Sequence, residues 1–313
     1  MQAVLDQFAT LGPKPLQSIT PAEARTQPTP ADAVMAVLKS QGKSTAPEAV
    51  GNVENRTFPG PAGPVPIRIY TPKGTGPFPV ILYIHGGGWV IANLDTYDGS
   101  ARALTNAAQA VLVSTHYRQA PEHTFPAAHD DTWAAYEWVL KNAASFNGNP
   151  LKVAIAGESA GGNMAAAIAM MARDRKVQAP VHQLLVYPVT NDNLDTPSYR
   201  ENANATPLGK AGMQWFFGHY LKSPSEGADP RLSILRATNL KGLPPATVIT
   251  AQIDPLRSEG EAFAVALRAA GVDVHHQNYD GVTHEFFGMG AVVDKAKQAV
   301  AVAGGRLKAA FVK

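Results

Sequence analysis

The chain contains no cysteine. That single absence excludes disulfides, thiolate nucleophiles and cysteine-ligated zinc. Dense runs of lysine or arginine are missing too. The 27 basic residues are scattered singly or in pairs against 25 acidic ones, leaving a formal charge of +2. Recognition of a phosphate backbone needs a concentrated basic surface, so nucleic acid is not expected as a partner. No stretch approaches the ~20 consecutive apolar residues of a membrane-spanning helix. The first residues, MQAVLDQFATLGPKPLQS, lack the basic segment followed by an apolar run that marks a secretory signal. The expectation is a soluble protein of the cytoplasm, or of the periplasm or exterior if a leader has been removed. Internal repeats and low-complexity tracts are absent as well.

What is present is a globular composition, 45% apolar and 17% charged, patterned as short apolar runs alternating with helical periods. Strands are expected near 80–84, 110–114, 153–156, 184–187, 247–251 and 272–277. Helices are expected near 2–10, 30–40, 127–142, 160–173, 258–270 and 291–309. Before these, an extended segment runs from Val53 to about Tyr70 with a hairpin turn at Gly60-Pro61-Ala62-Gly63. Near-continuous apolar strands alternating with helices predict a mostly parallel sheet covered on both faces, an α/β fold. The segment 190–235, rich in Asn, Pro and Gly, breaks the rhythm. It reads as an insertion over the C-terminal edge of the sheet, where ligands bind in such folds.

Chemistry-bearing residues cluster at strand ends. Gly157-Glu158-Ser159-Ala160-Gly161 matches G-x-S-x-G between an expected strand and an expected helix. A sharp strand-to-helix turn of this kind exposes a serine Oγ beside a helix N-terminus. Ser159 is therefore the candidate nucleophile. His85-Gly86-Gly87-Gly88-Trp89 follows the strand at 80–84 and lets backbone N–H groups approach a substrate oxygen. Gly87, Gly88 and Ala160 are the candidate donors of an oxyanion hole, with Gly86 shaping the turn. Neither a G-x-x-x-x-G-K-[ST] nor a helix-opening G-x-G-x-x-G accompanies this loop, which argues against a phosphate cradle. Of nine histidines, His284 lies on a loop late in the chain, after the other two candidates, as the order Ser, Asp, His requires. Asp254, after the strand at 247–251, is the candidate acid; Asp280 competes but reads as a turn former. Trp89, Glu158, Trp215 and Phe287 are the candidates for substrate contact. Glu158 is also placed to hydrogen-bond a neighbouring loop, and Trp215 to pack a cap helix on its own core.

Taken together, His85–Trp89, the run Tyr117-Arg118-Gln119-Ala120-Pro121-Glu122-His123-Thr124-Phe125-Pro126-Ala127, Gly157–Gly162, Asp254-Pro255-Leu256-Arg257 and Gly281–Phe287 resemble the bacterial hormone-sensitive-lipase-like (family IV) esterases. The resemblance runs from about residue 65 to the C-terminus. It implies the α/β-hydrolase fold, with a catalytic domain over 51–189 and 236–313 and a cap built from residues 1–50 and 190–235. It also implies a serine hydrolase acting on short-chain acyl esters, no cofactor, no metal and a homodimer, with 117–126 holding the loop beneath the site. Two positions depart from the family pattern: Glu158 stands where Asp is usual, and Glu285 where Gly is frequent. A triad of this kind also serves amidases, lactonases and deacetylases. A non-catalytic binding protein on the same scaffold is disfavoured, because Ser159, Asp254 and His284 are all present. The edge strand at 272–277 is the expected pairing surface of a dimer.

Overall fold

Alternating strands and helices close into one eight-stranded sheet. The computed structural model describes residues 1–312. The strands are β1 (Asn52–Gly60), β2 (Gly63–Thr71), β3 (Phe78–Ile84), β4 (Val111–Thr115), β5 (Gly148–Glu158), β6 (Gln183–Val186), β7 (Ala246–Ile253) and β8 (Val274–Thr283). The helices are α1 (Gln2–Thr10), α2 (Pro21–Ala24), α3 (Pro30–Ser40), α4 (Asp98–Ala108), α5 (Ala127–Asn142), α6 (Ala160–Asp174), α7 (Pro197–Glu201), α8 (Lys210–Tyr220), α9 (Arg257–Ala269) and α10 (Asp294–Phe311). Strand order is β1-β2-β4-β3-β5-β6-β7-β8. The β1–β2 and β2–β4 pairs are antiparallel, and every later pair is parallel.

The two-sided burial follows from strand geometry. On β3, Val80, Leu82 and Ile84 join one apolar cluster with residues of α5, α6 and α9. Ile81 and Tyr83 join a second cluster with residues of α1, α3, α4 and α10. Successive side chains point to opposite faces, so a strand covered on both sides must be apolar throughout. Local signals held as well: β1 and β2 pair through Gly60 and Gly63 across the expected hairpin turn. At the start of α3, the Thr29 hydroxyl accepts from the Asp32 N–H and the Asp32 carboxylate accepts from the Thr29 N–H, a capping box.

The short helices α2 and α7 have no counterpart in the sequence expectation, and two longer elements also differ from it. Helix α4 was not anticipated, because Gly99, Ser100 and Asn106 interrupt its apolar period; its buried Ala101, Leu104, Thr105 and Ala108 nevertheless share one face. The last strand runs to Thr283 rather than ending near 277. A register shift between Ala251 and Ile253 of β7 lets it continue through Asp280-Gly281, so that pair lies within β8 instead of forming a separate turn.

Residues 1–50 and 190–235 are tied to the parts of the sheet edge that matter for chemistry. From the end of α2, Arg25 donates to the Val90 and Ala120 carbonyls and makes a two-pronged pair with Glu122. His129 of α5 bonds the Tyr220 hydroxyl of α8 through Nδ1, while its Nε2 lies 3.0 Å from the Asn163 side chain of α6. Among the described residues no helix is long and apolar enough to cross a membrane.

Candidate active site

Parallel strands all end on one edge, and four of them deliver the expected residues there. Ser159 follows β5, the His85–Gly88 turn follows β3, Asp254 follows β7 and His284 follows β8. Ser159 holds φ 58° and ψ −120°, a left-handed conformation that costs a non-glycine residue on the order of 1–3 kcal/mol. It is held by its surroundings: its N–H donates to the Val186 carbonyl, and its own carbonyl accepts from the N–H groups of Asn163 and Val189. The structure brings Ser159 Oγ to 3.0 Å from His284 Nε2, and His284 Nδ1 to 2.7 Å from Asp254 Oδ2. Asp254 is fixed in turn by the Leu256 N–H donating to Oδ1 at 2.8 Å. All three residues are buried. Asp280, the competing acid, is exposed and accepts from the Asn278 side chain.

The glycine turn lies directly opposite. Gly87 has φ 89°, and a β-carbon built on it would stand 2.2 Å from the Ile91 carbonyl oxygen. Its own carbonyl accepts from the N–H groups of Val90 and Ile91, which closes the turn. The N–H groups of Gly87, Gly88 and Ala160 meet no acceptor among the described residues. Gly86 lies beneath, its carbonyl accepting from the Tyr117 hydroxyl at 2.8 Å. The 117–126 run braces this loop from below. Gln119 donates to the Ile91 and Ala92 carbonyls, and Arg118 pairs with the buried Asp131.

A cavity of about 820 Å³ opens over Ser159 and His284, walled by residues from both 1–50 and 190–235 as well as the glycine turn. None of the four side chains expected to touch substrate belongs to its wall. Trp89, at φ 63°, turns its indole inward to stack on Tyr220 with ring centroids 4.5 Å apart. Trp215 donates its indole N–H to the Ile19 carbonyl; its neighbour Phe216 faces the cavity in its place. Phe287 is fully buried in the cluster behind β8. Glu158 lies under Ser159, where Tyr83 and Tyr187 both donate their hydroxyls to its carboxylate. Glu285, which the sequence offered only as a departure from the family pattern beside the candidate base, forms part of the wall. Tyr97, whose hydroxyl donates to Glu285 Oε1 at 2.7 Å, was missed; it comes from a loop with no motif of its own. Among the described residues no group of three or more His, Asp or Glu is arranged to hold a metal ion.

Burial and charge set the protonation states. For His284, burial alone would push the imidazole down, but Asp254, with help from Glu285 and Glu158, more than offsets this and leaves it above 6.5. As the candidate base, His284 must be neutral to accept a proton, so kcat/KM should be lost as pH falls through that raised value. We expect the acid limb of kcat/KM to have its midpoint above pH 6.5. A midpoint clearly below it would separate His284 from the rate.

Glu158 shifts for a different reason. Burial, reinforced by Glu285, pushes its carboxyl from 4.5 up to about 7, against the opposing hydrogen bonds from Tyr187 and Tyr83. Between these values the folded chain keeps a proton that the unfolded chain has released, so stability falls as pH rises through the window. Glu158→Gln should remove a contribution on the order of 3 kcal/mol. Denaturant unfolding at pH 5 and pH 8 should then differ less in the variant than in the wild type. An unchanged difference would mean that the carboxyl is not held as a neutral acid.

Known proteins share this organisation. Residues 81–288 match the model of a family described as the alpha/beta hydrolase fold. The carboxylic ester hydrolase LipN of Mycobacterium tuberculosis is 41% identical over 249 residues, which is 78% of this chain and 66% of LipN. The ethyl acetate hydrolase of Pseudomonas putida is 32% identical over 288 residues, 91% of this chain and 88% of that one. Among solved structures, the hyperthermophilic esterase of the archaeon Pyrobaculum calidifontis superposes with a TM-score of 0.89 at 35% identity, covering 100% of this chain and 97% of its own.

Proposed function

Because the chain belongs to the hormone-sensitive-lipase-like α/β-hydrolases, we propose that Ser159, His284 and Asp254 hydrolyse short-chain carboxylic esters through an acyl-enzyme. The enzyme is a carboxylic-ester hydrolase. The observation that carries the residue assignment is the unbroken line from Ser159 Oγ through both ring nitrogens of His284 to Asp254, at the floor of the cavity.

In this reading His284 Nε2 takes the Ser159 proton as Oγ attacks the ester carbonyl. Asp254 holds the imidazole in the tautomer that leaves Nε2 free and stabilises the imidazolium that forms. The N–H groups of Gly87, Gly88 and Ala160 receive the developing oxyanion, and because they have no acceptor of their own they need no rearrangement to do so. His284 then gives the proton to the leaving alcohol. Water repeats the sequence on the acyl-enzyme.

The preference for short acyl groups is supported by the relative named for ethyl acetate hydrolysis. A cavity of about 820 Å³ leaves additional room for a bulkier alcohol portion. Pairing of two chains through the free edge of β8 is the proposed route to a homodimer. The function is tested with p-nitrophenyl esters of increasing acyl length. Rates should be highest among the acetyl to hexanoyl esters and decline beyond. Rates that climb steadily to palmitoyl esters would overturn the short-chain assignment.

A further inference from the structure

Glu285, directly after the proposed base, is not an ordinary surface glutamate. It holds φ 71°, a left-handed conformation that glycine adopts freely and glutamate does not. Its side chain is 22% exposed, and it forms part of the wall of the cavity. Its Oε1 accepts from the Tyr97 hydroxyl at 2.7 Å and stands 3.7 Å from His284 Nε2. A carboxylate oxygen therefore lies beside the nitrogen that moves the proton.

The two half-reactions place different molecules next to that nitrogen. During acylation the leaving alcohol oxygen must come within hydrogen-bond reach of Nε2 to collect its proton. During deacylation a water occupies the same place, since the second half retraces the first. The 3.7 Å between Nε2 and Glu285 Oε1 leaves room for a single oxygen to stand about 2.9 Å from both at once. An alcohol carries one hydrogen on its oxygen, and that hydrogen lies between it and Nε2. Water carries a second, which needs an acceptor of its own.

We propose that Glu285 is a catalytic residue of deacylation, accepting a hydrogen bond from the attacking water and thereby favouring water over alcohols as the acyl acceptor. The inference rests on the acyl-enzyme reading of Ser159 and His284 above. In the step, the water oxygen bonds to the acyl carbon while one O–H bond breaks and its proton passes to Nε2. The other O–H stays intact and donates to Oε1. As the tetrahedral intermediate collapses, the carbon–Oγ bond breaks and Nε2 returns the proton to Oγ. The carboxylic acid departs with the second hydrogen, and Glu285 ends as it began. Tyr97 acts as a positioning residue that aims Oε1.

The test is a competition between water and methanol for the acyl-enzyme formed from p-nitrophenyl acetate, with methyl acetate and acetic acid both quantified. The variants are Glu285→Gly, which suits the left-handed backbone, and Glu285→Gln, which fills the same space. At fixed methanol, Glu285→Gly should raise the ratio of methyl acetate to acetic acid about tenfold or more, the loss expected for a hydrogen bond to a charged group. Its kcat should fall and an early burst of p-nitrophenolate should appear as acyl-enzyme accumulates. Its kcat/KM, which reports acylation, should fall by a clearly smaller factor than kcat when both are measured at a pH above the acid limb that Glu285 helps to set. Glu285→Gln, which keeps one carbonyl oxygen, should raise the ratio by a smaller factor, and it carries the test if the glycine variant does not fold. An unchanged product ratio, or parallel losses of kcat and kcat/KM without a burst, would overturn the proposal. Ser159→Ala runs alongside: ester turnover surviving in that variant would sink the nucleophile assignment, a failure distinct from that of Glu285.

Discussion

Replacing Ser159 by alanine is expected to lower kcat by about 10⁴-fold or more while the chain stays folded and still binds ester. The size follows from the way triad members act as a unit, so that losing the nucleophile forfeits what the base contributes as well. Binding should survive because the cavity wall and the N–H groups of Gly87, Gly88 and Ala160 do not depend on the hydroxyl. The elbow should survive too, since the bonds that hold it use the Ser159 backbone rather than its side chain. The check is the rate at saturating p-nitrophenyl butyrate together with the thermal midpoint. A folded variant retaining a tenth or more of wild-type kcat would move the nucleophile elsewhere.

Gly87→Ala is expected to cost about 10²–10³-fold in kcat, the range for loss of one oxyanion donor. A β-carbon there would overlap the Ile91 carbonyl at 2.2 Å, and the residue sits at φ 89°. The clash is with backbone, so relief requires the turn itself to move. The Gly87 carbonyl is bonded to the N–H groups of Val90 and Ile91, and moving the turn swings the neighbouring N–H groups away from the serine. Gly271→Ala is the matched control. Gly271 also has positive φ, at 83°, but a β-carbon there meets nothing within 4 Å. It should lose about 1 kcal/mol or more of stability and keep its activity. Equal effects on kcat from both variants would show that the Gly87 result reflects general destabilisation.

The residues of the proposed triad were legible as candidates in the sequence because each sits at the end of a strand whose apolar run marks it, and local backbone chemistry dictates the turn that follows. Ser159 needs small neighbours at a strand-to-helix elbow, and Gly87 needs to be glycine; both requirements are written in adjacent residues. The cavity wall was not legible, since it depends on where side chains point once segments far apart in sequence are packed. Trp89 sits one residue from the glycines, but its positive φ sends the ring under α8 rather than into the cavity. Trp215 and Phe216 differ by a single step along a helix, about 100° of rotation, and that step decides which ring faces substrate. Glu158 and Glu285 flank the serine and the histidine alike in sequence. Only the packing of Tyr83 and Tyr187 against the first, and of Tyr97 against the second, places one below the site and the other in its wall.

One contact couples parts of the chain that are far apart in sequence. The space a β-carbon on Gly88 would need is filled by the Phe216 ring, 2.2 Å from where that carbon would lie. The lining of the cavity and the proposed cradle for the oxyanion are therefore not separate modules. Substitutions at 88 and 216 should be strongly non-additive, and a helix transplanted into 210–220 from a relative would succeed or fail according to what it presents to the glycine turn. Variation that retunes substrate fit through this helix is thus filtered at the same moment for its effect on the chemical step, and lineages exploring new substrates would have to change the two positions in concert.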